Sequence, residues 1–279
     1  MHFGVHIEAT DQTMDIVALG RLVEALGFES LFLPEHTHLP VAGASIHPSG
    51  PHAHARLPRF LDPFIALAAV ASATTTLRLG TGVCLVPQHD PITLAKQIAT
   101  LDFISGGRFL FGIGAGWNRE ELHNHGVDPA TRFRRLREHI LAMRAIWTED
   151  EAAYHGDFVR FGPLWSWPKP AQRPHPPIIV GGEGPRVLDR VLDYGDEWGP
   201  NAEDGLEDRV RNLHRRATTL GRPPIPVTAF HVRPDLPTLR SYAAAGVTRS
   251  IFSLRAPTEP EIRATLDQLA ALIAQYRAG

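Results

Sequence analysis

The chain has 279 residues, 28 of them lysine or arginine and 30 aspartate or glutamate, so its formal net charge is −2. No basic stripe stands out, which argues against a nucleic acid or an anionic membrane surface as partner. With 43% apolar residues, one cysteine, no leader-like start and no apolar run of about 18 residues, the sequence predicts a globular protein without an intrachain disulfide or a membrane span, expected in the cytoplasm.

The first strand-like run is Phe3–Ile7, followed by a helix with Ile16, Leu19, Val23 and Leu26 on one face that stops at Gly27. Ser30–Leu33 is the second run. Leu77–Leu85, Arg108–Gly114, Pro177–Gly181, Asp196–Gly199, Val227–Phe230 and Ser250–Phe252 follow, separated by amphipathic stretches. Cys84 lies inside an apolar run, which predicts a buried free thiol. Asp62-Pro63, Asp90-Pro91 and Asp128-Pro129 each set a capping carboxylate before a proline, and Thr258 with Glu261 has the spacing of a capping box. The pairs Arg134–Arg135 and Arg215–Arg216 are predicted on solvated helix faces.

Eight strands alternating with helices predict a single (β/α)₈ barrel over residues 1–279, with an open doubly wound sheet as the alternative. Two connections are too long for simple loops: Thr37 to Phe60 after the second strand, and Tyr154 to Pro176 after the helix following the fourth. Long connections in compact domains are usually lids or binding loops.

Four stretches carry candidate chemistry. In Leu33-Pro-Glu-His-Thr-His38, Glu35 and His36 directly follow a strand and are predicted at the barrel mouth, where such enzymes keep their active sites. His36-x-His38 also allows a metallohydrolase reading, but no matching His and Asp set follows at later strand ends, so no metal is expected. His52-x-His54 and His123-x-His125 read as polar loop residues. The glycines at 80 and 82 suggest a bulge or a close ligand, and those at 112, 114 and 116 room for a flat ring system. Gly112-x-Gly114-x-Gly116 lacks dinucleotide-fingerprint spacing. In Ile178 to Arg186 a strand runs into Gly181, Gly182 and Gly184 before a helix start, so Gly182–Arg186 is the predicted phosphate cradle.

In this order the stretches resemble the bacterial luciferase-like superfamily over essentially the whole chain. The likeness is strongest from Leu61 to Thr148, through Leu-Asp-Pro-Phe, Leu-Gly-Thr-Gly-Val, Pro-Ile-Thr-Leu-Ala-Lys, Thr-Leu-Asp, Ser-Gly-Gly-Arg and Gly-Ala-Gly-Trp-Asn-Arg-Glu. The wording is similar to the subgroup that uses the deazaflavin coenzyme F-420 rather than FMN. The resemblance implies a cis peptide at Gly82–Val83 under the ring, and the Glu35-His36 pair near its reactive carbon, with Glu where many relatives have Asp. It further implies Ala115, Gly116, Trp117 and Asn118 along the ring or substrate cavity, and Gly181, Gly182, Glu183 and Gly184, with Arg186 beyond, at the phosphate. It also implies a homodimer. Sugar-phosphate dehydrogenases of the family carry a catalytic Glu where Trp117 stands, which counts against sugar-phosphate oxidation.

The expected function is an F-420-dependent oxidoreductase that moves a hydride between the cofactor and a small organic substrate, with His36 as proton donor or polariser and Glu35 beside it. Imidazole suits that task because it ordinarily titrates at about 6.5. Trp117, Trp165, Trp167 and Trp198 are candidates to wall an apolar pocket. An FMN-dependent luciferase-like monooxygenase and a flavin- or deazaflavin-binding protein without turnover stay open as alternatives.

Overall fold

The computed structural model describes residues 1–41, 45, 55–255 and 258–279; His52 and His54 lie outside them. In chain order the elements are β1 (His2–Ile7), α1 (Ile16–Ala25), β2 (Ser30–Leu33), α2 (Pro63–Ala73), β3 (Arg78–Thr81), β4 (Cys84–Leu85), α3 (Pro91–Ile104) and β5 (Phe109–Gly114). Then come α4 (Arg119–Asn124), α5 (Arg132–Thr148), β6 (Ala152–His155), β7 (Arg160–Leu164), β8 (Ile178–Gly181), α6 (Val187–Tyr194) and β9 (Glu197–Gly199). The chain finishes with α7 (Leu206–Thr219), β10 (Thr228–Ala229), α8 (Leu236–Ala245), β11 (Arg249–Leu254) and α9 (Glu259–Ala278).

Local chemistry sets many of these boundaries. The carboxylates of Asp62 and Asp90 accept the Ile65 and Thr93 N–H groups at 2.9 and 2.8 Å, so two of the Asp-Pro pairs start helices as predicted. The third does not: Asp128 accepts from Ala130 and closes a turn, and α5 begins only at Arg132. Thr258 and Glu261 form the capping box at the start of α9. Arg134 and Arg135 are not simply solvated, since both guanidinium groups lie over the Phe158 ring, at 5.0 and 4.8 Å from its centroid. Arg216 pairs with Asp189. Part of the second long connection is ordered as an antiparallel hairpin, β6 with β7. Its turn hangs on Glu138 of α5, whose carboxylate accepts the N–H groups of Asp157, Phe158 and Val159.

The parallel strands pair in the order β10-β11-β1-β2-β3-β5-β8-β9, with β4 on β5. Bridges Trp198↔Val227 and Asn201↔Phe230 bring β9 to β10 and complete the ring, which sets aside the open-sheet alternative. The run predicted as one strand over Leu77–Leu85 is split at the Gly82–Val83 peptide, which is cis. β3 pairs with both β2 and β5, while β4 continues only along β5.

Alternate residues of each strand point inward. Phe32, Leu110, Ile179, Phe230 and Ile251 fill the middle of the barrel, all at most 5% exposed. Below them, at the strand starts, the layer is polar. Arg249 donates to Glu29 at 2.8 Å through both Nε and Nη2, and its Nη1 reaches Glu197 at 3.1 Å and Thr228 at 2.8 Å. Burial pushes the Glu29 carboxyl upward, but Arg249 outweighs it and holds the group below its usual range. Arg249→Met keeps the stem and leaves two carboxylates without their cation. We expect a loss of about 3 kcal/mol, read from urea unfolding. An unchanged midpoint would show that this layer contributes little.

Candidate active site

The upper mouth of the barrel is built by what its strands lack. Gly82, Gly114, Gly181 and Gly199 occupy the inward positions at the strand ends, above the apolar middle layer. A Cβ at Gly114 would lie 2.6 Å from Val83 Cγ2, and one at Gly181 2.9 Å from Val83 Cγ1. These two glycines therefore make room first for Val83, rather than for a ring directly. A Cβ at Gly112 would lie 1.9 Å from the Thr81 carbonyl oxygen, so this glycine serves close strand approach. The result is a floor of glycyl backbone with the half-buried Val83 side chain at its centre and Phe230 packed against Gly82 and Gly199. A flat ring system can lie across it, so the residues present fit a flavin or deazaflavin.

On one side of this floor stands His36, just beyond β2. Its Nδ1 is 2.8 Å from Glu121 Oε2, and the two side chains are 7% and 0% exposed. Trp117 Nε1 donates to His36 Nε2 at 3.2 Å. An indole N–H can only donate, so His36 Nε2 is an acceptor here and the imidazole proton sits on Nδ1, facing the carboxylate. The second oxygen of Glu121, Oε1, has no hydrogen-bond partner among the described residues. Glu121 reaches this position because Asn118 caps α4, its Oδ1 accepting the Glu121 N–H at 2.9 Å.

Glu35 takes a different direction from its neighbour. It is 4% exposed, with Oε2 accepting the Leu85 N–H at 2.5 Å and Oε1 2.9 Å from His89 Nε2. Burial raises the Glu35 carboxyl, yet the His89 contacts and the Leu85 N–H outweigh it and hold the group below its usual range. Burial lowers the His89 imidazole, and the contact with Glu35 overcomes this and raises it. The two form an ion pair that fastens β4 to the end of β2, directly after the cis peptide. Cys84 lies beside them, and all three offer ligand atoms within 4.8 Å of one another. Burial pushes the Cys84 thiol well up, so it keeps its proton, and both Glu35 oxygens are already engaged. His36 and His38 also take separate partners, Glu121 for one, Thr37 and Asn124 for the other.

The ion pair fixes a pH dependence. The Glu35 contribution is complete above its ordinary value near 4.5 and is lost as pH falls through the lower folded value. The His89 contribution is complete below 6.5 and is lost as pH rises through the higher folded value. The stability difference between the native protein and His89→Gln should therefore be largest between about pH 4.5 and 6.5 and shrink on either side. A difference that stays flat from pH 4 to 9 would refute the pairing.

On β1, the neighbour of β2, and after β10 two strands further round, stand two histidines that residue spacing alone does not single out. His6 on β1 is 6% exposed, with Nε2 3.2 Å from the Gly82 carbonyl oxygen. Burial, then the charge of His231, push its titration down to about 3, so it stays neutral. His231 follows β10 and meets His6 edge-on at 5.3 Å.

The predicted phosphate turn runs from Gly181 to Arg186, at the C-terminal end of β8. Gly184, Pro185 and Arg186 are exposed, and Gly182 takes φ +113°. Added Cβ atoms at Gly182 and Gly184 would meet nothing within 4 Å, so the backbone faces open space, as anion approach requires. Trp198 is fully buried and donates to the Gly182 carbonyl at 3.1 Å, which makes it an anchor of this turn rather than a pocket wall. The side chain of Glu183 turns away to accept the Asn201 N–H at 2.7 Å, and burial raises its carboxyl.

The structure thus joins His36 and Trp117 and sets Gly82, Val83 and Gly181 at the mouth. Ala115 is buried, Gly116 takes φ +80° beside Leu122, and Asn118 serves as a helix cap. Trp165 and Trp167 are 79% and 57% exposed, in the segment that follows β7.

A closed parallel barrel with its polar residues gathered at the strand ends defines an enzyme-type mouth able to take a flat redox cofactor. The chain belongs to the luciferase-like monooxygenase family, whose model matches residues 1–246. Its members are oxidoreductases and monooxygenases. An uncharacterized protein of Mycobacterium tuberculosis (strain ATCC 25618 / H37Rv) is 40% identical over 280 residues, covering 98% of this chain and 99% of the relative. The FMNH(2)-dependent dimethylsulfone monooxygenase of Pseudomonas putida is 35% identical over 174 residues, 60% of this chain and 47% of that protein. Among solved structures, the coenzyme F420-dependent tetrahydromethanopterin reductase of Methanopyrus kandleri superposes with a TM-score of 0.75 at 18% identity, over 99% of each chain. Relatives and structural neighbours therefore include users of both cofactors.

Proposed function

We propose that the protein is a coenzyme F-420-dependent oxidoreductase acting on a small organic substrate at the mouth between His36 and the 181–186 turn. The observation that carries this reading is the hydrogen-bonded array Trp117–His36–Glu121 beside a glycine-lined floor. When bound, the deazaflavin supplies a two-electron hydride carrier. Val83 and the glycines around it support the ring, and the turn from Gly181 through Gly182, Glu183 and Gly184 to Arg186 holds its phosphate with backbone N–H groups.

The side chains manage the proton that accompanies the hydride. Glu121 holds the proton on His36 Nδ1 and fixes the ring plane, leaving Nε2 as the basic atom. A substrate oxygen that displaces the Trp117 N–H places its proton on His36 Nε2 during oxidation and recovers it in the reverse direction. The buried Glu121 carboxylate steadies the imidazolium in between. Glu35 works at one remove, as a positioning residue that pins β4 and thereby the Gly82–Val83 peptide.

A second reading is an FMN-dependent monooxygenase, favoured by the likeness to the Pseudomonas putida enzyme. The two separate under anaerobic mixing of the protein with reduced F-420 and a panel of carbonyl and enone acceptors. Return of the oxidised deazaflavin absorbance with at least one acceptor supports the proposal. Oxygen-dependent turnover with reduced FMN, and none with F-420, would replace it.

A further inference from the structure

The His6–His231 pair, on β1 and after β10, is not used by the proton chemistry just described, and its surroundings are specific. His231 has φ +58°, the only non-glycine residue with positive φ among the described residues. L residues rarely hold that conformation, and functional sites are where it persists. Here it turns the side chain back across the barrel rim. His231 Nδ1 lies 2.5 Å from the Ser253 hydroxyl oxygen on β11, and Ser253 is the register partner of His6 on β1. A chain of contacts therefore runs from Ser253 through His231 and His6 to the Gly82 carbonyl, at the peptide under the proposed ring position.

Two donors are left at the outer end of this chain. With the Ser253 hydroxyl donating into Nδ1, His231 carries its proton on Nε2. Two residues past Ser253 stands Arg255, which is exposed and makes no ion pair among the described residues. Its positive charge bears on both rings, lowering His231 after the larger effect of burial. A guanidinium without an ion pair, two residues beyond the serine that orients the imidazole N–H, matches the oxygen pair of a carboxylate or phosphate. Both follow the last two strands of the barrel ring, β10 and β11, on the C-terminal face where such barrels commonly bind anions.

We propose that His231 and Arg255, with Ser253 orienting the imidazole, form a subsite for an oxyanion group on the substrate. The assignment to substrate rests on the redox reading above; the anion site itself does not. It makes the substrate class an organic acid or phosphate ester whose reacting centre lies over the ring. His231 and Arg255 then determine specificity without entering the hydride chemistry.

The test needs no turnover. Inorganic phosphate and, separately, acetate are titrated into the full chain without cofactor, and the histidine ring resonances are followed by NMR. Saturable shifts of His231 and His6 are expected, with affinity at least tenfold weaker in Arg255→Gln and unchanged in His38→Asn. The His231 ring should also titrate at higher pH when phosphate is bound. Absence of saturable shifts up to about 50 mM anion, or equal affinity in Arg255→Gln, would overturn the proposal. The titration is repeated with F-420, FMN or riboflavin bound. Loss of the phosphate response with FMN or F-420 but not with riboflavin would assign the subsite to the cofactor phosphate and overturn its assignment to substrate. A persisting response supports the substrate assignment. Failure of the redox reading alone would leave the anion response and its Arg255 dependence intact.

Discussion

His36→Asn should lower the single-turnover rate of hydride transfer by about 10²–10⁴ while changing cofactor affinity far less. Asparagine has a similar reach and keeps a polar group near Trp117 and Glu121, but it has no atom that can take and return a proton. The size of the effect follows from the absence of a substitute close by. The other carboxylate next in sequence, Glu35, is turned toward Leu85 and His89, and the Trp117 indole can only donate. Rapid mixing at saturating cofactor separates the two outcomes. A normal rate with weakened cofactor binding would make His36 a wall of the ring pocket and end the acid-base assignment.

Glu121→Gln should cut the same rate on the order of 10²–10⁴, the range seen when a buried carboxylate behind a catalytic histidine loses its charge. Glutamine can present an amide N–H to His36 Nδ1 and so favour the wrong tautomer, and it cannot balance an imidazolium. The buried position and the unpartnered Oε1 leave little room for water to compensate. Substrate KM and cofactor affinity should stay near native values, which a collapse of α4 would not allow. A rate within threefold of the native enzyme would show that Glu121 only fills space.

These two residues show how far the sequence could be read. The barrel, its eight strands and most helix starts follow from alternation and capping chemistry, both local. His36 could be placed because it directly follows a strand, and strand ends define the mouth. Glu121 could not, since Asn118-x-x-Glu121 reads equally well as an ordinary helix start. Only the tertiary approach of α4 to the segment after β2 decides that its carboxylate meets His36, 85 positions away. His6 had a weak signal, the alternation Gly4-x-His6 on an inward strand face. His231 had none, because its direction depends on a positive φ that nothing in the adjacent residues demands. Glu35 and Glu183 were placed at the right elements, but the directions of their side chains are set by tertiary partners: Leu85 and His89 for one, Asn201 for the other. Glycine spacing marked the strand ends, while its immediate reason, space for Val83 and for close strand packing, needed coordinates.

The central claim is that this mouth is built for a deazaflavin. It is tested most directly by titrating the cofactor-free protein with coenzyme F-420 and with FMN, following fluorescence, beside Gly182→Val. At φ +113° a valine is strained and its side chain stands where the phosphate must approach the backbone. The account predicts saturable binding of F-420, tighter than that of FMN, and severe weakening in the variant. FMN binding at least as tightly as F-420, or F-420 binding untouched by Gly182→Val, would contradict it.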